Sequence, residues 1–201
     1  MYVEALNVGV VCIPKNGTHT LEYAINTTYP EQRQGLFAGH ARASRLKQLV
    51  TSQYGEERAN KMRIMATVRN PSQRFVSGLN HRWAGTPDID LDEAIDRSFK
   101  AAEDFVFMSQ ISWLDCHHQR LALFTMDNIG TALKRLGYKG GKPPHLNKSQ
   151  PRWDFEEVIE HKLFDLVREK YSEDYDIFHT VKQWEEEHDV FTRGTKKDAG
   201  S

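Results

Sequence analysis

The chain has 201 residues, with 27 Lys+Arg against 28 Asp+Glu and a formal net charge of −1. No global basic field therefore draws it to nucleic acid or to an anionic membrane, and any anion site must be local. The length suffices for one domain with its own core, and two cysteines, Cys12 and Cys116, without a Cys-x-x-Cys pair exclude a disulfide framework. No window approaches the roughly 18 apolar residues of a membrane span, and no basic segment followed by an apolar stretch opens the sequence, so a reducing cytosol is the expected setting.

In chain order, Asn7-Val8-Gly9-Val10-Val11-Cys12-Ile13 is a short apolar run ending at Pro14, the pattern of a buried parallel strand that feeds a turn. A helix is expected over 18–26 and another over 38–50. Met62–Val68 reads as a second buried strand, followed by Asn70-Pro71 as N-cap and first helical residue, with Phe75, Val76 and Leu79 toward the core. A turn at Gly85-Thr86-Pro87-Asp88 precedes a helix over 91–101. Residues 121–125 form a third strand, with Asp127-Asn128 capping a helix that ends near Leu136-Gly137. Strand and helix alternate, which predicts an α/β fold on a parallel sheet.

Residues 137–151, with three glycines and three prolines, read as a long loop of the kind that often carries function. Asp154-Phe155-Glu156-Glu157 resembles a capping box, and the spacing of Val158, Ile159, Leu163, Leu166, Val167 and Tyr171 predicts one packing helix. Residues 1–192 read as a single domain, and the polar stretch 193–201 as a frayed tail.

Residues 8–26 combine a strand, a glycine-containing turn and a helix start. That layout aims free backbone N–H groups and the positive end of a helix dipole at one spot, where an anion can bind. Gly17 permits close approach, Thr18, Thr20 and the Asn16 amide add donors, and Lys15 supplies charge. The plainer alternative is a βα turn with Thr18 as helix cap. The loop is not Gly-x-x-x-x-Gly-Lys-[Ser/Thr], because its lysine precedes its glycine. Arg69-Asn70-Pro71-Ser72-Gln73-Arg74-Phe75-Val76-Ser77-Gly78 follows the second strand and should emerge on the same sheet edge. Capping accounts for Asn70 and Pro71. It does not account for Arg69 at the strand end or for Ser77 eight residues later.

Pro14-Lys15-Asn16-Gly17-Thr18-His19-Thr20-Leu21 resembles the 5′-phosphosulfate loop of sulfotransferases that use 3′-phosphoadenosine 5′-phosphosulfate (PAPS), above all the carbohydrate type, with His19 in place of a small hydroxyl residue. The Arg69…Ser77 spacing is similar to the 3′-phosphate motif of the same family, and Tyr171-Ser172-Glu173-Asp174-Tyr175-Asp176-Ile177-Phe178 to its closing Tyr-x-x-Asp-Tyr-x-x-Phe. The resemblance implies a three-layer, P-loop-like α/β domain with a central parallel sheet of four or five strands flanked by helices. It implies PAPS as sulfuryl donor, a hydroxyl or amine acceptor, small or carbohydrate, and no required metal. Lys15 would stabilise the leaving phosphate, Asn16, Gly17, Thr18, His19 and Thr20 would hold phosphate and sulfate oxygens, and Arg69 with Ser77 would anchor the 3′-phosphate.

A hydroxyl acceptor needs a base, a role that histidine suits near neutral pH. The chain has nine histidines. Gly35-Leu36-Phe37-Ala38-Gly39-His40-Ala41-Arg42-Ala43 is similar to a family stretch that carries the base, which nominates His40, with a capping or core histidine as its alternative and Glu22 as the glutamate alternative. Gln110, Lys142, His145 and Lys148 are candidate pocket contacts, and Trp83 and Trp153 candidate adenine platforms, against core packing as the other reading. Arg74 is expected to brace the helix or the loop through a carboxylate. Cys116-His117-His118 would converge poorly on a metal. The rival functions are a P-loop-like nucleotide kinase and a catalytically silent nucleotide-binding module. The absence of an anchoring segment points to a bacterial or viral source.

Overall fold

The computed structural model describes residues 1–31, 39–101, 104–115, 120–141 and 151–194, with side chains as far as 188. Lys142, His145, Lys148, the Cys116-His117-His118 run and residues 195–201 of the expected tail lie outside them. Among the described residues the fold is α/β, on an open mixed sheet of four strands in the order β1-β2-β3-β4.

Strands β2 (Val8–Val11), β3 (Arg63–Val68) and β4 (Leu121–Thr125) are parallel neighbours, as their apolar runs predict. The first strand departs from that expectation. β1 (Tyr2–Val3) pairs antiparallel with β2, so the sheet is mixed and not purely parallel. The reason lies in the connection. A 3-10 turn over Glu4–Leu6 and Asn7 in the left-handed region, φ 48°, reverse the chain at once, whereas a parallel pair needs a crossover of a dozen or more residues. Two residues of strand carry no alternation, which left β1 unreadable in the sequence.

Helices cover both faces of the sheet. On one face α1 (Thr18–Thr28) and α7 (Ile129–Arg135) bury Leu21, Ala24, Ile25, Ala132 and Leu133 against Val10, Met65 and Phe124. On the other, α2 (Ala43–Tyr54) and α3 (Glu56–Lys61) bury Ala43, Leu46, Val50 and Ala59 against Val11, Ile64 and Ala66. Alternate residues of one strand thus serve opposite layers, and each fully buried leucine or isoleucine contributes about 1.5 to 3 kcal/mol. The helix expected over 38–50 begins at Ala43, and 32–38 lie outside the described residues. The 121–125 strand leads into a 3-10 turn, Met126–Asn128, capped by Thr125, and Asn128 then stands at the N-cap of α7 as expected, without a side-chain bond to the helix amides.

A third cluster forms beside the sheet. Phe75, Val76 and Leu79 of α4 (Pro71–Arg82) meet Ala94 and Ile95 of α5 (Leu91–Lys100), with Trp153, Val158 and Phe164. The helix expected to run from Val158 to Tyr171 is instead two, α8 (Phe155–Ile159) and α9 (Phe164–Lys170). The break has a side-chain cause. His161 bonds Asp92 through Nε2, and its Nδ1 takes the Leu163 amide at 3.3 Å, a donor that a continuous helix would have used internally. The capping box at Asp154 and Glu157 forms as expected.

The chain closes with α6 (Gln110–Trp113) before β4 and with α10 (Ser172–Gly194), which lays Phe178 and Val181 on Val68. The Glu185 carboxylate on α10 accepts from the Thr125 amide at 2.8 Å and from its hydroxyl at 2.6 Å, tying the helix to the end of β4. No described helix is long and apolar enough to cross a membrane.

Gly9 sets how closely α2 approaches the sheet. A Cβ there would stand 2.8 Å from Leu46 Cδ2 and 2.9 Å from Met62 Sδ. Gly9→Ala is expected to cost about 1 to 3 kcal/mol in urea unfolding through overpacking, and unchanged stability would show that α2 can step back freely.

Candidate functional site

Strands β2 and β3 pair with Val11 opposite Ala66, so the segments that follow them, 14–17 and 69–70, leave the sheet side by side. This is the carboxyl edge of a parallel sheet, where α/β proteins hold ligands. The turn after β2 is tightly wound. Lys15 and Gly17 both have positive φ, 68° and 78°, and the Thr18 hydroxyl donates to the Ile13 carbonyl at 3.2 Å. A non-glycine residue in the left-handed region persists only where its surroundings hold it there.

Those surroundings are specific. Arg74 is buried on α4 and donates from Nε to the Pro14 carbonyl at 3.2 Å and from Nη2 to the Val106 carbonyl at 3.0 Å. Its brace runs through main-chain carbonyls, not through the carboxylate expected from the sequence. Asn16 is 1% exposed, and its Nδ2 donates to the Thr67 carbonyl at 2.8 Å and to Gln110 Oε1 at 2.6 Å. Its backbone N–H bonds the Ile13 carbonyl, so both kinds of donor on Asn16 are spent inside the protein. Asn16 shapes the turn in place of the ligand-donor role its position suggested. Its buried Oδ1 has no partner among the described residues.

Gln110 is the link between the two loops. Its Oε1 accepts from Asn16 and from the Arg69 amide at 2.9 Å, while its Nε2 donates to the Arg69 carbonyl at 2.9 Å. Asp174 on α10 then holds Gln110 itself. The carboxylate accepts from the Gln110 amide at 2.8 Å, the Ile111 amide at 3.1 Å and the Ser109 hydroxyl at 2.7 Å, a cap supplied from another helix. Tyr171 donates to the Phe107 carbonyl, and Tyr175 meets the Ser72 hydroxyl. The Tyr-x-x-Asp-Tyr segment is therefore the strut behind both loops.

What remains open on the turn is a row of main-chain donors. The N–H groups of Lys15, Gly17, Thr18 and His19 find no backbone acceptor among the described residues, and they open the eleven-residue helix α1. The Thr20 hydroxyl, in the first helical turn, makes no hydrogen bond among the described residues, whereas the Thr18 hydrogen is already given to Ile13. Gly17 is pressed from behind by Met126 and Ile129, whose side-chain atoms would lie 2.7 to 2.8 Å from a Cβ.

The site concentrates positive charge in a chain of net charge −1. Burial lowers the Lys15 ammonium below its ordinary value, and the Arg69 charge lowers it further. Burial likewise lowers Arg69, with Asp127 opposing. Arg69 Nη1 donates to the Lys15 carbonyl at 3.2 Å, which leaves the rest of its five-donor guanidinium available. Two like charges held together, neither in an ion pair among the described residues and with only Asp127 in opposition, are poised to take an anion. His81, one turn beyond Ser77 on α4, was not foreseen; Lys15 lowers its imidazole most, burial and His19 add to this, and Asp104 opposes it. His19 itself is exposed and stands 3.5 Å from Glu22. Ser77 is half-buried on the same helix as Arg74, and its hydroxyl makes no hydrogen bond among the described residues.

His40 lies at the start of the same turn. Its Nδ1 is 2.7 Å from the Cys12 carbonyl, two residues before Pro14, and its ring packs against Phe105 and Trp113 at 5.5 and 6.2 Å. A carbonyl only accepts, so Nδ1 carries the hydrogen. In the neutral ring Nε2 is then the free base. Trp83 and Trp153 are placed elsewhere. Trp153 is core and Trp83 gives its Nε1–H to Ser98, both within the α4–α5–α8 cluster, so neither is an adenine platform.

Gln110→Leu should leave one Nδ2 hydrogen of Asn16 and both Arg69 main-chain groups unpaired. Urea unfolding is expected to lose about 2 to 4 kcal/mol, with faster exchange of the Arg69 amide, and a loss below about 1 kcal/mol would contradict the linking role. No protein-family model matches the chain, and no curated protein or solved structure shows significant similarity to it.

Proposed function

We propose that the protein is a PAPS-dependent sulfotransferase, built on a fold that we read as three-layer and P-loop-like. The observation that carries this reading is the convergence, at adjacent strand ends, of a free N–H turn bearing Lys15 and of Arg69, locked together through Gln110. One anion cradle alone fits many ligands. Two, held rigidly side by side, fit a nucleotide with phosphate groups at both its 5′ and 3′ positions.

In this reading Gly17, Thr18, His19 and Thr20 bind the 5′-phosphosulfate, and Arg69 with Ser77 binds the 3′-phosphate. The acceptor oxygen, of a carbohydrate or another small hydroxyl compound, attacks sulfur in line as the bond from sulfur to the bridging phosphate oxygen breaks. His40 Nε2 takes the acceptor's proton, and the electron pair leaves on the 5′-phosphate, which Lys15 neutralises. Such transfers depend on positioning and on charge stabilisation at the leaving oxygen. The lowered Lys15 pKa suits this role, because an ammonium short of counter-charge gains most when negative charge develops beside it.

Nucleotide selectivity tests the reading. 3′,5′-ADP should raise the unfolding midpoint far more than ATP does, because only it fills both cradles; stabilisation by ATP alone would overturn the reading in favour of a kinase. With PAPS and an acceptor panel, Lys15→Ala and His40→Ala should each lower turnover by about 100-fold or more. An unchanged rate in Lys15→Ala contradicts the mechanism, and an unchanged rate in His40→Ala alone moves the base elsewhere.

A further inference from the structure

The turn from Asp104 to Gln110 forms the wall of the site on the His40 side, and it is held unusually firmly. Arg74 bonds the Val106 carbonyl and Tyr171 the Phe107 carbonyl, while Asp104 accepts from Arg82 Nε at 3.1 Å. Val106 and Phe107 are buried against α4 so closely that a Cβ on Gly78 would stand 2.9 Å from Val106 Cγ1 and 3.1 Å from the Phe107 ring. On this pinned turn one side chain points the other way. Phe105 is 47% exposed, and its ring packs on the candidate base His40 with centroids 5.5 Å apart.

Arg42, exposed and two residues beyond His40, reaches the same turn, with Nη2 3.9 Å from Met108 Sδ. Among the described residues neither Arg42 nor its helix neighbour Arg45 makes an ion pair; Arg45 meets only Gln48, at 3.3 Å. A half-exposed aromatic face and an arginine without an ion pair among the described residues leave both groups open to a ligand. Phe105 packs on the ring of the candidate base, and Arg42 reaches the turn that carries Phe105.

We infer that Phe105 and Arg42 form the acceptor subsite, which takes a hydroxyl compound with a ring to lie on Phe105 and an anionic group to meet Arg42. This rests on the sulfotransferase reading for its purpose, but not for its geometry. The ring can belong to an acidic sugar or to an acidic phenol. In either case the ring supplies apolar contact, the charge fixes orientation, and the hydroxyl is left toward His40. Phe105 and Arg42 are positioning residues for the acceptor, distinct from the donor cradle at Gly17 to Thr20.

The experiment is an NMR titration of the full chain, with and without 3′,5′-ADP, against two pairs of probes: methyl β-D-glucuronide with methyl β-D-glucoside, and 4-hydroxybenzoate with phenol. In the pair whose ring is accepted, the acid should bind about threefold or more tighter than its neutral partner, the worth of one exposed ion pair. Phe105→Ala should weaken both members of that pair about fivefold, and Phe105→Tyr should restore them. Arg42→Ala should lower the acid to the level of the neutral compound and leave the latter unchanged. The affinity for 3′,5′-ADP and the unfolding midpoint should stay as in the wild type. Absence of binding by all four probes, a change under twofold in Phe105→Ala, or an acid preference that survives Arg42→Ala overturns the subsite. Failure of 3′,5′-ADP to bind the wild type removes the donor reading instead, and the probe titration without nucleotide still decides the subsite.

Discussion

The carboxamide of Gln110 holds the two halves of the site in one geometry. An amide has two donors and a two-lone-pair acceptor, and here Oε1 serves Asn16 and the Arg69 N–H while Nε2 serves the Arg69 carbonyl. Fully buried, it has no water to fall back on, so its bonds are strong where made and costly where broken. The turn after β2 and the turn after β3 are therefore one rigid body. That rigidity lets Lys15 keep a left-handed backbone and lets two cations, Lys15 and Arg69, sit together before any anion arrives.

Support for this link comes from far along the chain. Asp174 caps α6 from α10, a contact 64 residues away in sequence, and Arg74 fixes both Pro14 and Val106 from α4. The site is thus framed by three elements that lie behind the two loops: α4, the 104–110 turn and α10. Strain and like-charge repulsion are concentrated at the turn, and the apolar clusters on both sheet faces offset them. In the proposed chemistry such preorganisation means that the donors need not move as charge develops on the leaving phosphate.

Legibility in the sequence followed the range of the interaction. The strands at 8–11, 63–68 and 121–125 were readable because parallel strands packed between helices carry largely apolar runs, and α4 because Asn70-Pro71 is a local start signal that its side chain fulfils, with Asn70 Oδ1 accepting from Ser72 and Gln73. The loop at 14–20 and the Arg69–Ser77 spacing were also local. The inward commitment of Asn16 was not, since its partner Gln110 lies 94 residues away. The same holds for the role of Asp174, for His81 beside Lys15 and for the His40 tautomer, each decided by a neighbour that only the fold supplies. β1 and the break between α8 and α9 escaped for the opposite reason: two residues, and one histidine side chain, are too short a signal for any periodicity.

The central claim is a two-ended clamp for a nucleotide with 5′ and 3′ phosphate groups, and a crystal structure of the protein with 3′,5′-ADP tests it most directly. The account places the 5′-phosphate on the N–H groups of Gly17, Thr18 and His19 beside Lys15, and the 3′-phosphate on Arg69 and Ser77, with the Gln110 bonds unchanged. A nucleotide bound with only one phosphate on these residues, or bound elsewhere, would contradict it.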